Sequence, residues 1–239
     1  WYQRRVRGYL FMPRFDMQKY KTTSKVLGLS IAQQAKIEDA RNQALRVEIS
    51  KLLDTTTGNP TNNMMSAKLK AGEVVRMEVR CQVYDVLKIY AEQIGYDLPL
   101  IQRQLPNVPE GMVPTFHALI FASKYYSIKQ LLDLADLFKD TYGKALIEQA
   151  SNQQTCRADP ELIQKITFHT PEQQRVDEIF EEVRQQLIQR KSLIQNYDQM
   201  KSIPNPPSVG GQNPGSPGDQ PAPSGGDDLD DLRRRLAGL

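Results

Sequence analysis

Apolar residues recur at helical spacing through most of this chain, and the first long example covers residues 15–53. Its apolar positions, separated mostly by three, four or seven residues, are Tyr20, Leu27, Ile31, Ala35, Leu45, Ile49 and Leu52. A stripe with this spacing lies on one side of an α-helix. Because no proline interrupts the segment, the pattern predicts one helix roughly 55–60 Å long, at a rise of ~1.5 Å per residue.

A second long helix is predicted over residues 64–94, after a break at residues 54–63. Residues 55–63 of the break read TTTGNPTNN, and Gly, Asn and Pro in series do not readily continue a helix. The apolar positions of the second helix are Leu69, Val75, Val79, Val83, Val86, Leu87, Tyr90 and Ile94. Gly72 weakens it by ~1 kcal/mol relative to alanine if that position is exposed. Two long helices joined by a short break predict an antiparallel hairpin.

Shorter helical segments follow the hairpin. We expect one or two turns in DLPLIQRQL and amphipathic helices in FHALIFASKYY and SIKQLLDLADLFKDTYGKALIEQA, the last with Ser127 as its N-cap. Asp159 followed by Pro160 is the favoured order at a helix start. Thr170 followed by Pro171 repeats it. Since no segment alternates with period two between turn residues, the sequence predicts an all-α fold.

The composition changes abruptly after this helical region. Between Ser202 and Gly226, 13 of 25 residues are Pro or Gly, which predicts a disordered linker with a reach of at least ~25–30 Å. We therefore expect a helical domain at 12–195, the linker at 196–226 and a helical motif at 227–239. Residues 1–11, before Met12, are expected to be a non-native or disordered extension.

A leucine stripe ends the chain, in DDLDDLRRRLAGL. Its positions, Leu229, Leu232, Leu236 and Leu239, fall within roughly 80° on a helix. Aspartates stand at the start and arginines near the end, which complements the helix dipole. A helix of about 13 residues is marginal in water, so the stripe predicts a ligand for a groove on another protein. The alternatives are a helix that folds back on its own domain and a tail without a function.

Basic residues are concentrated in the first part of the chain. Residues 1–90 contain 16 Lys and Arg against 8 Asp and Glu, and the remainder contains 15 against 20. This asymmetry predicts contact with an acidic surface or self-association through opposite faces. The candidate contact residues on the first two helices are Lys19, Lys21, Lys25, Lys68, Lys70 and Arg76, with Lys36 and Arg80 beside them. The alternative is a solvated charged face.

Catalytic and metal sites are not expected, and neither is a cofactor. The chain has no phosphate-loop, zinc-protease or nucleophile-elbow motif. Cys81 and Cys156 are far apart, which favours two buried, reduced thiols over a disulfide or a zinc site. His117 lies in an apolar helix and is expected to be a core or partly exposed residue rather than a metal ligand. Tyr84 and Tyr90 lie on an apolar helix face, so we expect core packing and no nucleic-acid partner.

The end of the chain resembles the type 1 MIT-interacting motif of ESCRT-III proteins, because LRRRLAGL fits L-x-x-R-L-x-x-L. This motif binds the MIT domains of AAA ATPases such as the vacuolar-sorting ATPase and spastin. The resemblance implies that Leu232, Leu236 and Leu239 are buried in an MIT groove and that Arg235 pairs with an acidic residue at its rim. Leu229 extends the stripe, at the position where the motif usually has an acidic residue.

Three segments of the domain resemble the increased sodium tolerance family of ESCRT-III-like proteins. They are AKLKAGEVVRMEV followed by YDVLKIYAEQI, then LIFASKYYSIKQLLDLADLFKDTYGK, then DPELIQKITFHTP, and together they span most of residues 15–185. Gly72 stands where the family has a glutamate. The resemblance implies an ESCRT-III-like helical domain that co-assembles with charged multivesicular body proteins and recruits or regulates MIT-domain AAA ATPases.

The same resemblance implies a cytoplasmic protein recruited to endosomes and the midbody. Its roles would be endosomal sorting, membrane fission and cytokinetic abscission, with homo- or co-polymers and an anionic membrane surface among its contacts. The alternative is a basic helical protein, unrelated to ESCRT, that binds membranes or nucleic acid.

Overall fold

The computed structural model describes residues 15–54, 60–168 and 170–201, and no strand occurs in these ranges. The helices are α1 (Met17–Asp54), α2 (Pro60–Tyr96), α3 (Leu98–Gln104), α4 (Val113–Ser123), α5 (Lys129–Tyr142), α6 (Lys144–Ser151), α7 (Pro160–Ile166) and α8 (Gln173–Lys201), with a 3₁₀ turn at Glu110–Met112 before α4. The prediction of an all-helical fold is confirmed for this part of the chain.

Helices α1 and α2 form the expected antiparallel hairpin. Cys81 lies against the carbonyl oxygen of Ala35, and Lys70, earlier in α2, contacts Glu48, later in α1. We call the end where α1 stops and α2 starts the tip, and the opposite end the base. Helix α2 starts at Pro60, four residues before the predicted start, so the break is shorter than expected.

The larger hydrophobic cluster lies along the base half of the hairpin. It joins α1 and α2 to the helices from α3 to α7, and its fully buried side chains include Tyr20, Leu27 and Phe138. The Tyr20 hydroxyl is 2.9 Å from the carbonyl oxygen of Leu137. A buried phenol needs such a partner, so this contact fixes α5 against the start of α1.

Helix α4 is buried on all sides rather than amphipathic, which corrects the expectation for FHALIFASKYY. Every residue from 115 to 122 is buried, because α5, α6 and α7 pack around it with the hairpin. His117 lies in this core, which is the first of the two expected placements. Its Nδ1 accepts the backbone N–H of Arg157 at 3.0 Å, and burial lowers the pKa of the imidazole.

Of the three residues predicted to cap helix starts, one does so and two do not. Asp159 caps α7 as expected, since its Oδ1 accepts the N–H of Glu161 at 3.0 Å. Ser127 is not the cap of α5, which has Ile128 at that position and no side-chain cap hydrogen bond. Thr170 does not cap α8 either, because that helix begins only at Gln173.

Two helix boundaries also differ from expectation. The segment predicted as one helix from Ser127 onward is divided at Gly143, whose φ of 87° lies in the left-handed region that favours glycine. Helix α8 continues to Lys201, beyond the predicted domain end at 195.

Cys81 and Cys156 are half-buried rather than buried, and burial raises the pKa of both thiols.

Candidate interaction surface

The tip half of the hairpin is covered by α8. The buried residues of this tip cluster are Ile49 from α1, Ala67, Ala71, Val74 and Val75 from α2, and Val176, Ile179, Phe180 and Val183 from α8. All four α2 residues in this set are alanine or valine, which are small or β-branched, so α1 and α8 can approach that helix closely. Leu69, predicted on the apolar stripe, is instead 70% exposed because it points away from both neighbours.

Gly72 lies under the segment that leads into α8. A Cβ added at this position would be 3.4 Å from Cγ of Pro171 and 4.0 Å from Cγ2 of Val176. The glycine is therefore buried at a helix contact, and it is not an exposed weak point of α2. The glutamate that the sequence resemblance places here would not fit beneath Pro171 with α8 in this position.

A cluster of five charged side chains joins α1, α2 and α8 above the tip cluster. The Arg46 guanidinium lies 2.8 Å from Glu78 and 3.0 Å from Glu182. Arg175 contacts Glu78 at 3.1 Å, Glu182 at 3.1 Å and Glu178 at 3.0 Å. The hydrogen bond to Glu178 contributes most to raising the pKa of Arg175. Each arginine bridges two helices, so the cluster fixes the orientation of α8 on the hairpin.

Two of the predicted contact residues on α2 are engaged inside the domain. Lys68 pairs with Asp177 of α8 at 2.9 Å and lies 5.7 Å from the centre of the Phe180 ring. Lys70 points to the other side of α2, where it pairs with Glu48 at 2.6 Å. These hydrogen bonds lower the pKa of Asp177 and of Glu48. Lys68 and Lys70 therefore hold α8 and α1 against α2.

The predicted contact residues on α1 lie at the base, at the other end of the hairpin. Lys19, Lys21 and Lys25 are all exposed, and within the described ranges no ion pair involves them. Lys21 is 27 residues before Glu48, the partner of Lys70, which corresponds to ~40 Å along the helix. Arg76 is exposed on α2. The six residues thus do not form one continuous basic surface, although contact through each group stays a prediction.

An apolar depression lies at the tip, and we call it the tip groove. Its volume is about 400 Å³, and it is lined by Leu53, Met64, Phe180, Arg184, Leu187, Ile188 and Lys191. Lys191 pairs with Asp54, and Arg184 pairs with Glu181 at 3.3 Å. The groove therefore has an apolar floor and basic side chains at its rim.

The other predicted site falls outside the described residues. It consists of Leu229, Leu232, Arg235, Leu236 and Leu239, together with the linker that precedes them. Conversely, sequence reasoning missed the charge cluster of Arg46, Glu78, Arg175, Glu178 and Glu182. Its pairs join positions up to 136 residues apart, and no local spacing signals such contacts.

The described part of the chain contains no group of His, Cys, Asp or Glu side chains arranged to hold a metal ion. In the same ranges no helix is long and apolar enough to cross a membrane.

Comparisons with known proteins agree with this architecture. The chain is similar to an IST1-like protein of Dictyostelium discoideum, with 22% identity over 164 residues, which are 68% of this chain and 42% of that protein. The chain thus spans less than half the length of this relative. The fold of the present chain is similar to that of the S. cerevisiae Ist1 N-terminal domain, which was solved in complex with the Did2 MIM motif. The TM-score is 0.62 at 19% identity, over 71% of this chain and 91% of that one.

A family model described as "Ist1: Regulator of Vps4 activity in the MVB pathway" matches residues 21–189. The match includes both halves of the hairpin and the part of α8 that carries the tip cluster, and it ends before the C-terminal leucine stripe. Because it covers well over half of the 239 residues, the chain belongs to the Ist1 family, whose model describes regulators of Vps4 activity in the MVB pathway.

Proposed function

We propose that this protein is an adaptor in which residues 227–239 bind the MIT domain of a Vps4-type AAA ATPase. The observation that carries the proposal is the L-x-x-R-L-x-x-L pattern of LRRRLAGL, placed after a Pro- and Gly-rich segment that follows an Ist1-family domain. Such a segment lets the motif reach a partner while the domain is held in an assembly. Membership of the Ist1 family sets aside the alternative of a basic protein unrelated to this machinery.

The expected affinity follows from the size of the motif. Burial of Leu232, Leu236 and Leu239 offers roughly 1.5–3 kcal/mol each in gross transfer free energy. Ordering a short segment costs ~2–5 kcal/mol, and association has a further entropic cost. The Kd for the MIT domain should therefore be roughly micromolar to tens of micromolar. Presentation of many copies on a polymer can raise the avidity by ~10²–10⁴.

A titration against the MIT domain of the ATPase tests this proposal. Leu236→Asp should weaken binding by at least ~100-fold, because a carboxylate would enter an apolar groove. Ala237→Asp is the matched control, since it adds the same carboxylate one position away from the leucine stripe, and it should bind nearly as well as wild type. Equal affinities for wild type and Leu236→Asp would refute the proposal. Spastin is the second MIT protein to titrate.

The helical domain, in this proposal, co-assembles with charged multivesicular body subunits of ESCRT-III during endosomal sorting, membrane fission and abscission. The support is the likeness to the Ist1 domain that was solved with the Did2 MIM motif. Co-sedimentation of the full chain with an ESCRT-III subunit, with and without that subunit's own MIM, tests this part. Binding that is unchanged when the partner's MIM is removed would contradict this part of the proposal.

Contact with an anionic membrane is a second candidate function, favoured by the exposed lysines at the base. Lys21 and Lys25 are one helical turn apart and therefore share a side of α1. At ~1 kcal/mol per basic residue near such a surface, reversing both should weaken liposome binding by about 30-fold or more. Lys51→Glu, on the same helix but at the tip, is the control. If it weakens binding as much as the double reversal, the base is not the contact site.

A further inference from the structure

Thr170 is an exposed hydroxyl residue directly before a proline, in the connection between α7 and α8. Of the 15 prolines in the chain, only Pro171 and Pro217 follow a serine or a threonine. This dipeptide is the minimal recognition sequence of proline-directed protein kinases. Thr170 does not cap α8, which begins only at Gln173, so a modification of its hydroxyl removes no helix cap.

The chain on both sides of Thr170 rests on α2. Two residues earlier, Phe168 packs against the tip cluster and lines, with Val75, a depression of about 270 Å³. One residue later, Pro171 lies over Gly72, where an added Cβ would be 3.4 Å from the Cγ of that proline. Thr170 therefore crosses α2 beside the helical turn that starts at Gly72, with its own side chain exposed.

Arg76 is the basic residue of α2 at this crossing. It follows Gly72 by one helical turn, ~6 Å along the axis, so the two residues share a side of the helix. Like Thr170, it is exposed. The guanidinium carries five N–H donors in a planar fork, which suits the oxygens of a phosphate and leaves donors for other contacts.

Two other basic side chains line the same depression, and both are engaged in ion pairs. Lys165 pairs with Glu161 at 2.7 Å, and Arg175 pairs with Glu78 at 3.1 Å. Glu172 is the exposed acidic residue that would repel a phosphate at this place. A solvated repulsion of this kind is weak compared with bidentate binding of a phosphate by an arginine, so the balance at the crossing is attractive.

We propose that Thr170 is phosphorylated by a proline-directed kinase and that the phosphate, held by Arg76, fastens the start of α8 to α2. The phosphate adds a charge of about −1.5 to −2 at pH 7. Opposite an arginine, such a group forms charge-assisted hydrogen bonds and orders the segment that carries it. The modification involves none of the C-terminal leucines, so it is independent of binding to an MIT domain.

The transfer uses ATP as the phosphoryl donor. The Oγ1 atom of Thr170 forms a bond to the γ-phosphorus while the bond from that phosphorus to ADP breaks, and the hydroxyl proton passes to the catalytic base of the kinase. Pro171 is half-buried, so the kinase binds the segment when the start of α8 opens locally. Once the phosphate is in place, its contact with Arg76 opposes further opening.

Phosphorylation of the full chain in vitro tests the proposal. In the Ser216→Ala variant, which retains Thr170–Pro171 as its only such site, a cyclin-dependent kinase with ATP should place phosphate on Thr170, as mapped by mass spectrometry. Hydrogen–deuterium exchange in residues 173–183 should then slow by about tenfold or more. Adding Arg76→Ala should abolish most of this slowing without preventing phosphorylation.

The matched control is Thr170→Ala phosphorylated on Ser216, which carries the same group in the Pro- and Gly-rich segment and should exchange like the unmodified chain. A kinase that phosphorylates a standard Thr-Pro peptide but leaves Thr170 unmodified would overturn the assignment of the site. Unchanged or faster exchange after modification of Thr170 would overturn the contact with α2. Slowing that persists in the Arg76→Ala variant, or that Ser216 phosphorylation reproduces, would also overturn it.

Discussion

Replacing Gly72 tests how closely α8 approaches the hairpin. We predict that Gly72→Ala stabilises the domain and that Gly72→Leu loses that gain. The new Cβ of alanine would be 3.4 Å from Pro171 and 4.0 Å from Val176, which are ordinary contact distances. Leucine would extend beyond this Cβ into Pro171 and force the start of α8 away from α2.

The magnitude follows from two effects. Alanine in place of glycine inside a helix gains ~1 kcal/mol, and a buried methyl group adds up to ~0.8 kcal/mol. Gly28→Ala isolates the first effect, since no atom outside its own helix lies within 4 Å of that Cβ. Gly28→Ala should therefore gain ~1 kcal/mol and Gly72→Ala ~1–2 kcal/mol. Overpacking at Gly72→Leu should cost ~1–3 kcal/mol relative to Gly72→Ala.

Thermal and urea unfolding of the full chain measure these differences. For a domain of this size ~1 kcal/mol corresponds to a Tm change of about 2–4 °C. The reasoning is refuted if Gly72→Ala lowers Tm while Gly28→Ala raises it, because the start of α8 would then leave no room for a methyl group. Equal Tm values for Gly72→Ala and Gly72→Leu would show that α8 does not rest on this position.

Three further perturbations address other contacts. Because the hydrogen bond from Lys68 holds the pKa of Asp177 below its ordinary 3.8, this pair stabilises the fold above about pH 4 and is lost as the pH falls through the lowered pKa. The Tm of wild type should thus fall more steeply on acidification than that of Asp177→Asn, and parallel curves would contradict the assignment. Gly143→Ala should cost ~1–3 kcal/mol in urea unfolding, since φ is 87° there, and an unchanged midpoint would show that the turn relaxes. Tyr20→Phe should cost ~1–3 kcal/mol by leaving the buried carbonyl of Leu137 without this donor, and a neutral result would mean that water replaces the hydroxyl.

The helices of the hairpin could be predicted because their signals are local. A stripe at positions such as Leu27, Ile31 and Ile49 requires only the helical period, and all three are buried. Asp159 before Pro160 is similarly a matter of adjacent residues, and the cap forms as predicted. The resemblance of short segments to an ESCRT-III-like family rests on such local patterns too, and the match of residues 21–189 shows membership of the Ist1 family.

Helical periodicity predicts the wrong buried residue where α1 and α8 both pack against α2. Periodicity assigned Leu69 to the core, yet the residues that are buried there are Ala67 and Ala71. Small side chains allow α1 and α8 to approach closely, so size and not hydrophobicity selects the buried side at the tip. Ser127 and Thr170 illustrate another limit, since a residue suited to capping does not cap unless the chain turns into a helix directly after it.

For the candidate contact residues too, the sequence shows which residues are basic and the tertiary structure decides which of them are ion-paired. The basic residues were visible in the sequence, but whether a lysine faces solvent or an acidic partner depends on which helix lies beside it. Among the described residues Lys21 has no acidic partner, whereas Lys68 faces Asp177 from 109 residues further along the chain.

By itself the sequence determined the all-helical class, the long hairpin, the capped start of α7 and the leucine stripe after a Pro- and Gly-rich segment. Each depends on residues within a few positions of one another, where helical spacing and backbone chemistry act directly. Only the tertiary structure decided that α8 covers the tip, that Gly72 lies under Pro171 and that Lys68 and Lys70 are ion-paired. These features depend on which distant segments share a surface, and that is set by packing of the whole domain, which no local spacing encodes.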